Sequence, residues 1–333
     1  MTRTTPPRPV DITALFPELA EHSATATRLH PRPGRPTTAE SSVGGSLLWP
    51  ADEPWPVCSD GDAHHIDQLE TPASVRRRRE IYAAARARAA ATGTRYQPTD
   101  DERAELQDLE LSVSYGLVEQ PVQLVAVAQL YRRDIPDFVG PDGVDLLQVL
   151  WCPLDHPDED YNPRVRLYWR QSSEITEPLV TAPEPSVVVG SYLPTPCTVH
   201  PEQIREYQYG ALLPEELAAR ITAWEEGGED HDEAEVSYQS DLSLAPGWKV
   251  GGFASWALSD PHPMECADCG TAMTLLFTVD SAEWNGPGSR WRPVEDPPGA
   301  ALDPTDICIS RGYALYVFRC PASFAHPPAV AMQ

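Results

Sequence analysis

Residues 147–153 read Leu-Gln-Val-Leu-Trp-Cys-Pro, and residues 315–321 read Leu-Tyr-Val-Phe-Arg-Cys-Pro. Both are short runs rich in apolar and β-branched residues that close on a Cys-Pro pair, the pattern of a buried strand stopped by proline. Working outward, the flanks match as well. Upstream, Ser42-Val-Gly-Gly leads to Trp55-Pro-Val-Cys58, and Lys249-Val-Gly-Gly leads to Pro261-His-Pro-Met-Glu-Cys266. Between those cysteines and the Cys-Pro pairs lies a further strand pattern, Gln123–Val127 in the first half and Thr274–Val279 in the second. Downstream, a histidine follows each pair, His156 and His326. Order and residue type agree, and we read an internally duplicated, mostly antiparallel β unit whose Gly-Gly pairs mark tight turns.

The cysteines of the second copy have the spacing of a metal site. Cys266-Ala-Asp-Cys269 is a C-x-x-C knuckle, which lets two thiolates grip one tetrahedral ion. Cys320 and His326, about fifty residues on, can complete a Cys3His zinc site with zinc-ribbon-like loops. Two other readings stand beside it: buried reduced thiols, or a redox pair of thioredoxin type. The redox pair would need a helix N-terminus after a buried strand, whereas Met264–Gly270 reads as a turn. The first copy offers a looser set, Cys58, His64 or His65, Cys152 and His156, which is either a second site or a decayed one. Cys197 and Cys308 have no partner pattern, and the seven cysteines do not suggest disulfides in a cytosolic protein. A closed four-ligand site leaves no position for substrate, so zinc here is expected to be structural.

Between Cys58 and the Gln123–Val127 strand of the first copy, residues 71–111 change character. Ala73–Ala91 carries six arginines, Arg76 to Arg79, Arg86 and Arg88, against Glu80. After a break at residues 93–98, a Thr99-Asp-Asp-Glu102 capping box opens a helix with six acidic residues against Arg103. Two adjacent helices of opposite charge predict an antiparallel helical hairpin inserted into the β unit; the arginine run reads as a solvated face paired with the acidic helix, or else as a nucleic-acid contact. Elsewhere, residues 11–22 predict a helix capped by Asp11, residues 24–29 an edge strand, and residues 201–224 two helical pieces broken before Pro214. Glu225–Glu235 holds seven acidic residues among eleven and reads as a surface loop or a docking site for a basic partner. The expected fold class is therefore α+β: an N-terminal unit over 1–200, a helical and acidic connection over 201–235, and a C-terminal unit with the knuckle over 236–333.

Composition bounds the function. The 333 residues, 41% hydrophobic, support a sizeable core, and fifty acidic residues against twenty-five basic ones give a formal charge of −25. Such a surface repels phosphate backbones, which argues against general nucleic-acid binding and in favour of a basic protein partner. Only Lys249 is lysine, a bias of GC-rich bacterial genomes. No apolar run approaches the ~20 residues of a membrane span. No secretory signal is visible either, so a soluble cytoplasmic protein is expected. The nucleophile elbow, P-loop, dinucleotide fingerprint, H-E-x-x-H and deaminase signatures are missing. Two rival readings carry on from here. One is a non-enzymatic zinc-stabilised protein-binding module. The other is a metal-assisted hydrolase using the N-terminal Cys/His set with an open coordination position.

Ser42-Val-Gly-Gly with its following Trp-Pro, Val127-Ala-Gln-Leu130 and Asp145-Leu-Leu-Gln-Val-Leu-Trp-Cys-Pro153 resemble the bacterial YwqG-like family of unknown function. Lys249-Val-Gly-Gly-Phe-Ala-Ser-Trp256, the knuckle, Leu275–Val279 and Leu315–Cys320 are similar to the programmed-cell-death-protein-2-like proteins. The second resemblance implies a dedicated chaperone of a basic ribosomal protein, although the MYND-type zinc-finger insertion of that family is missing. The first implies an immunity-type role beside secreted toxins.

Overall fold

A computed structural model describes residues 2–59, 64–65, 67–227, 236–284, 289–297 and 299–333. From residue 228 on, the expected acidic loop Glu225–Glu235 lies outside the described residues. The fold is α+β. In chain order the strands begin with β1 (Ser23–Arg28), β2 (Arg32–Pro33), β3 (Ser42–Val43), β4 (Val57–Cys58), β5 (Asp67–Leu69), β6 (Ser114–Gly116), β7 (Val122–Gln123) and β8 (Val125–Tyr131). They continue with β9 (Leu146–His156), β10 (Asn162–Arg170), β11 (Cys197–Thr198), β12 (Glu202–Tyr207), β13 (Lys249–Gly251), β14 (Thr274–Asp280), β15 (Ala314–Arg319) and β16 (Ala329–Met332). The α-helices are α1 (Ile12–Leu15), α2 (Pro72–Thr92), α3 (Asp100–Leu111) and α4 (Glu215–Glu226).

Among the described residues the strands form two six-stranded antiparallel sheets, ordered β10-β9-β8-β3-β11-β2 and β12-β1-β13-β14-β15-β16, with two small two-stranded sheets beside them. The central strands alternate between two interiors. On β9, Leu147, Val149 and Trp151 enter a core shared by both large sheets, while Leu150, Cys152 and Leu154 face a separate cluster with Trp49 and Cys58. On β15, Leu315 and Val317 enter the shared core, while Tyr316, Phe318 and Cys320 face a cluster with Trp256 and Cys266. The period-2 geometry of a strand thus sends each Cys-Pro cysteine to the face away from the common core.

The arginine-rich segment folds as expected. Arg77 reaches Glu105 at 2.6 Å and Arg88 pairs with Glu102, so α2 and α3 run antiparallel, and the Thr99–Glu102 capping box is formed. Each of Arg76 to Arg79 has a partner in the chain: besides Arg77, Arg76 holds Glu184, Arg78 holds Glu70, and Arg79 donates to the carbonyls of Leu193, Gly190 and Asp306. Three expectations are corrected. Residues 202–207, read as helix, are strand β12, because pairing with β1 lets Glu206 and Tyr207 turn inward. Strand β1 is no edge: β12 and β13 flank it on both sides, so a segment from the start of the chain lies inside the sheet of the C-terminal strands. The N-terminal helix stops at Leu15, where Phe16 leaves helical geometry and Pro17 opens a 3₁₀ turn.

That sheet buries several charges. Lys249 Nζ lies 2.6 Å from Glu206 Oε1, both side chains almost wholly buried. The Glu206 carboxylate also accepts from the N–H groups of Ala245 and Phe253, and it presses on Gly252, at φ +72°, where a Cβ would stand 2.2 Å from Oε2. Nearby, buried Arg28 donates to Thr5, Trp291 and the Glu283 carbonyl. His30 Nε2 contacts Glu202 Oε2 at 3.0 Å, and its Nδ1 lies 3.9 Å from Glu283 Oε2. Burial lowers the His30 pKa to about 4 and raises that of Glu283 to about 7. A carboxyl held above its ordinary value stabilises the fold fully below about pH 4.5, and that contribution is lost as pH rises through 7. Glu283→Gln keeps an acceptor for the Trp248 N–H. Its stability relative to wild type is expected to rise by about 3 kcal/mol between pH 4.5 and 7.5, measured by denaturant unfolding at each pH.

Candidate metal centres

Two four-residue groups are assembled by the fold: Cys58, His64, Cys152 and His156, and Cys266, Cys269, Cys320 and His326. In each, the ligand atoms all lie within 4.8 Å of one another, and either group could hold a metal ion.

The first group is fully buried. Cys58 is supplied by β4, Cys152 and His156 by β9, and His64 by the segment before β5. Cys152 Sγ lies 3.4 Å from His64 Nε2, Cys58 Sγ lies 3.8 Å from His156 Nε2, and the two imidazoles meet edge to face. His64 Nδ1 points at the Val118 carbonyl, 3.0 Å away, an orienting contact of the kind metal-ligating histidines use. The sequence could not choose between His64 and His65. In the fold the His65 N–H bonds to the Asp155 carbonyl beside β9, and its exposed ring packs on Tyr161, so His64 points inward and His65 does not join the group. Burial alone would lower the His64 pKa, but hydrogen bonds to Cys58 and the Val118 carbonyl outweigh it and raise it. Contact with Cys58, and burial, hold Cys152 as a thiol.

The second group is built on a turn and a strand end. Met273 N–H bonds to the Met264 carbonyl, Cys266 N–H to Thr271, and Gly270 N–H to Cys266, closing a tight hairpin around the knuckle. Gly270 sits at φ +68°, a left-handed position that only glycine adopts cheaply. Cys320 directly follows β15, and His326 returns in the following loop. Cys266 Sγ lies 3.3 Å from His326 Nδ1, and Cys269 Sγ lies 3.6 Å from Cys320 Sγ, far longer than a disulfide. Contacts with Thr271 pull the Cys269 thiol down to about 6. Burial pushes Cys266 up. Cys320 is lowered, because hydrogen bonds at Ala322, His326 and Ser323 outweigh its burial, and His326 is raised by its contact with Cys320.

An ion bound tetrahedrally by sulfur at 2.3 Å and nitrogen near 2.0 Å sets sulfurs about 3.8 Å apart and a sulfur about 3.5 Å from a nitrogen. The sulfur–nitrogen separations of 3.3, 3.4 and 3.8 Å and the sulfur–sulfur separation of 3.6 Å lie within about 0.3 Å of those values. Trp49, Trp284 and Trp291 are buried, and Trp55 donates to the Leu124 carbonyl. Among the described residues no helix is long and apolar enough to cross a membrane. No protein-family model matches the chain, and no curated protein matches it.

Two measurements check the geometry. His64→Ala is expected to remove one equivalent of bound metal, whereas His65→Ala keeps full content, by elemental analysis of the purified variants. Gly270→Ala meets no atom within 4 Å, so its cost is backbone strain alone, about 1 kcal/mol in denaturant unfolding.

Proposed function

We propose that the protein is a non-enzymatic binding module whose two β units are each stapled by a structural zinc ion, and that it captures a basic protein client. The carrying observation is that each four-ligand group closes on itself from separate chain segments, at tetrahedral spacing, with nitrogen and sulfur donors only. Zinc suits such a set, having no redox chemistry and a preference for four mixed N/S ligands. Four protein ligands leave no position for substrate, which favours the staple over a metal-assisted hydrolase. In the N-terminal group all four ligands are also shut off from solvent.

The reading of an internal duplication draws support from the order of parts. Strands β3, β8, β9 and β10 are consecutive neighbours in one sheet, and β13, β14, β15 and β16 are consecutive neighbours in the other. In each row a Gly-Gly pair stands at or just past the end of the first strand, a ligand cysteine comes next in sequence, and the cysteine of the Cys-Pro pair lies on the third strand or directly after it, ahead of a histidine. The YwqG-like and programmed-cell-death-protein-2-like resemblances rest on these same segments. With them comes the expectation of a chaperone or an immunity-type partner. A net charge of −25 favours a basic client by speeding encounter and discouraging acidic competitors.

Zinc analysis of protein purified without added metal is expected to give two ions per chain, with Cys152→Ser and Cys266→Ser losing one each. Each loss is expected to cost at least about 3 kcal/mol, on the order of 4 °C in melting temperature. Affinity capture at low ionic strength is expected to recover a strongly basic protein that salt releases. Absence of zinc removes the staples, and recovery of no basic protein removes the client.

A further inference from the structure

The two groups differ in one respect that the proposed staple does not require. Of the eight ligand residues only Cys269 is exposed, and it sits on a turn whose residues 267–270 all face solvent. Its three partners are more sheltered: Cys266 and Cys320 are 2% and 1% accessible, and His326 is half-buried. In the other group every ligand is buried. A small oxidant therefore meets one sulfur of one site. Behind that sulfur, 3.6 Å away, lies Cys320 Sγ, a second thiol placed to resolve whatever forms. Cys266 Sγ lies 3.3 Å from His326 Nδ1.

We propose that Cys269 is a hydroperoxide-reactive site, and that its oxidation converts the C-terminal metal site into a Cys269–Cys320 disulfide. The inference rests on the reading that both groups hold zinc. In the first step the Cys269 thiolate attacks the O–O bond: a sulfur–oxygen bond forms, the O–O bond breaks and hydroxide leaves, so sulfur is oxidised by two electrons and the peroxide is reduced. In the second step the Cys320 thiolate attacks the Cys269 sulfur. The sulfur–sulfur bond forms, the sulfur–oxygen bond breaks, and a second hydroxide leaves. The sulfurs need to close from 3.6 Å to about 2.05 Å, within reach of a turn that carries a left-handed glycine. Zinc then loses two of its four ligands and dissociates, while the buried N-terminal site keeps its ion.

The test uses full-length protein carrying Cys308→Ser, which removes the remaining partly exposed thiol, and hydrogen peroxide as the oxidant. Zinc is counted before treatment. Fewer than two ions per chain overturns the metal reading and this inference with it. With two ions present, peroxide is expected to release one, read by a chromogenic chelator, and peptide mapping is expected to recover the Cys269–Cys320 link. Retention of both ions, a Cys266–Cys269 link, or equal loss from both sites overturns this inference alone. In Cys269→Ser, peroxide is expected to release none of the remaining zinc, and release there also overturns it.

Discussion

The ion pair between Glu206 and Lys249 fixes where the C-terminal sheet begins. A buried charge survives only if it is paired and its remaining hydrogen-bonding capacity is met, and here both conditions hold. Glu206 takes the sole lysine of the chain on one oxygen and gathers the N–H groups of Ala245 and Phe253 around the same carboxylate. Removing either partner would leave a buried charge alone, at a cost of roughly 3–5 kcal/mol. The geometry explains why glycine follows Val250. A side chain at 252 would collide with the carboxylate, and Gly251 and Gly252 both need positive φ to start the loop that carries the chain toward Cys266. The first sheet starts differently. At the position of Lys249 stands Ser42, and polar contacts there centre on Gln129, which reaches Leu48, Thr38, Glu40 and Gln148.

From those turns each sheet presents two faces, and the division of labour between them is the main structural argument. The shared core takes Trp151, Phe277 and Val317 from both sheets and would hold them together without any metal. The outer clusters are smaller and rich in loop residues, Trp49 and Trp55 on one side, Trp256 and Met273 on the other. Small satellites of this kind bury too little apolar surface to order long loops by themselves, so a cross-link placed there adds most where the hydrophobic term is weakest.

The sequence carried much of this in plain view. Repeated Cys-Pro strands, the knuckle and the capped acidic helix are local patterns, and each survives in the fold because tertiary contacts agree with it. The failures share one physical cause. Glu202–Tyr207 is charged enough to look like a helix surface, and its burial becomes affordable only through a lysine 43 residues away. Strand β1 looked like an edge because nothing in Ser23–Arg28 announces that Arg28 will be enclosed by Thr5, Trp291 and Glu283. The ligand pair His64–His65 is undecidable by spacing, since a one-residue shift turns a side chain to the opposite face and only the hydrogen bond to Asp155 sets the phase.

The chain length each Cys/His group encloses does not account for their different character. Cys58 and Cys152 are 94 positions apart and Cys266 and Cys320 are 54 apart. Loop-closure entropy grows only as the logarithm of length, so that difference is worth about 0.5 kcal/mol, too little to set the groups apart. Placement does so. Cys58 lies on a strand paired with β7, Cys152 and His156 sit on β9, and His64 comes from the segment before β5. Three of the four ligands are thus carried by strands. Cys266 and Cys269 hang from a hairpin held by three backbone hydrogen bonds, and His326 lies in the loop between β15 and β16. Drawing Cys58 away from Cys152 and His156 requires parting strands, whereas drawing Cys269 away from Cys320 requires only that a turn move. By the ordinary hierarchy of local stability, the second group opens far more often than the first.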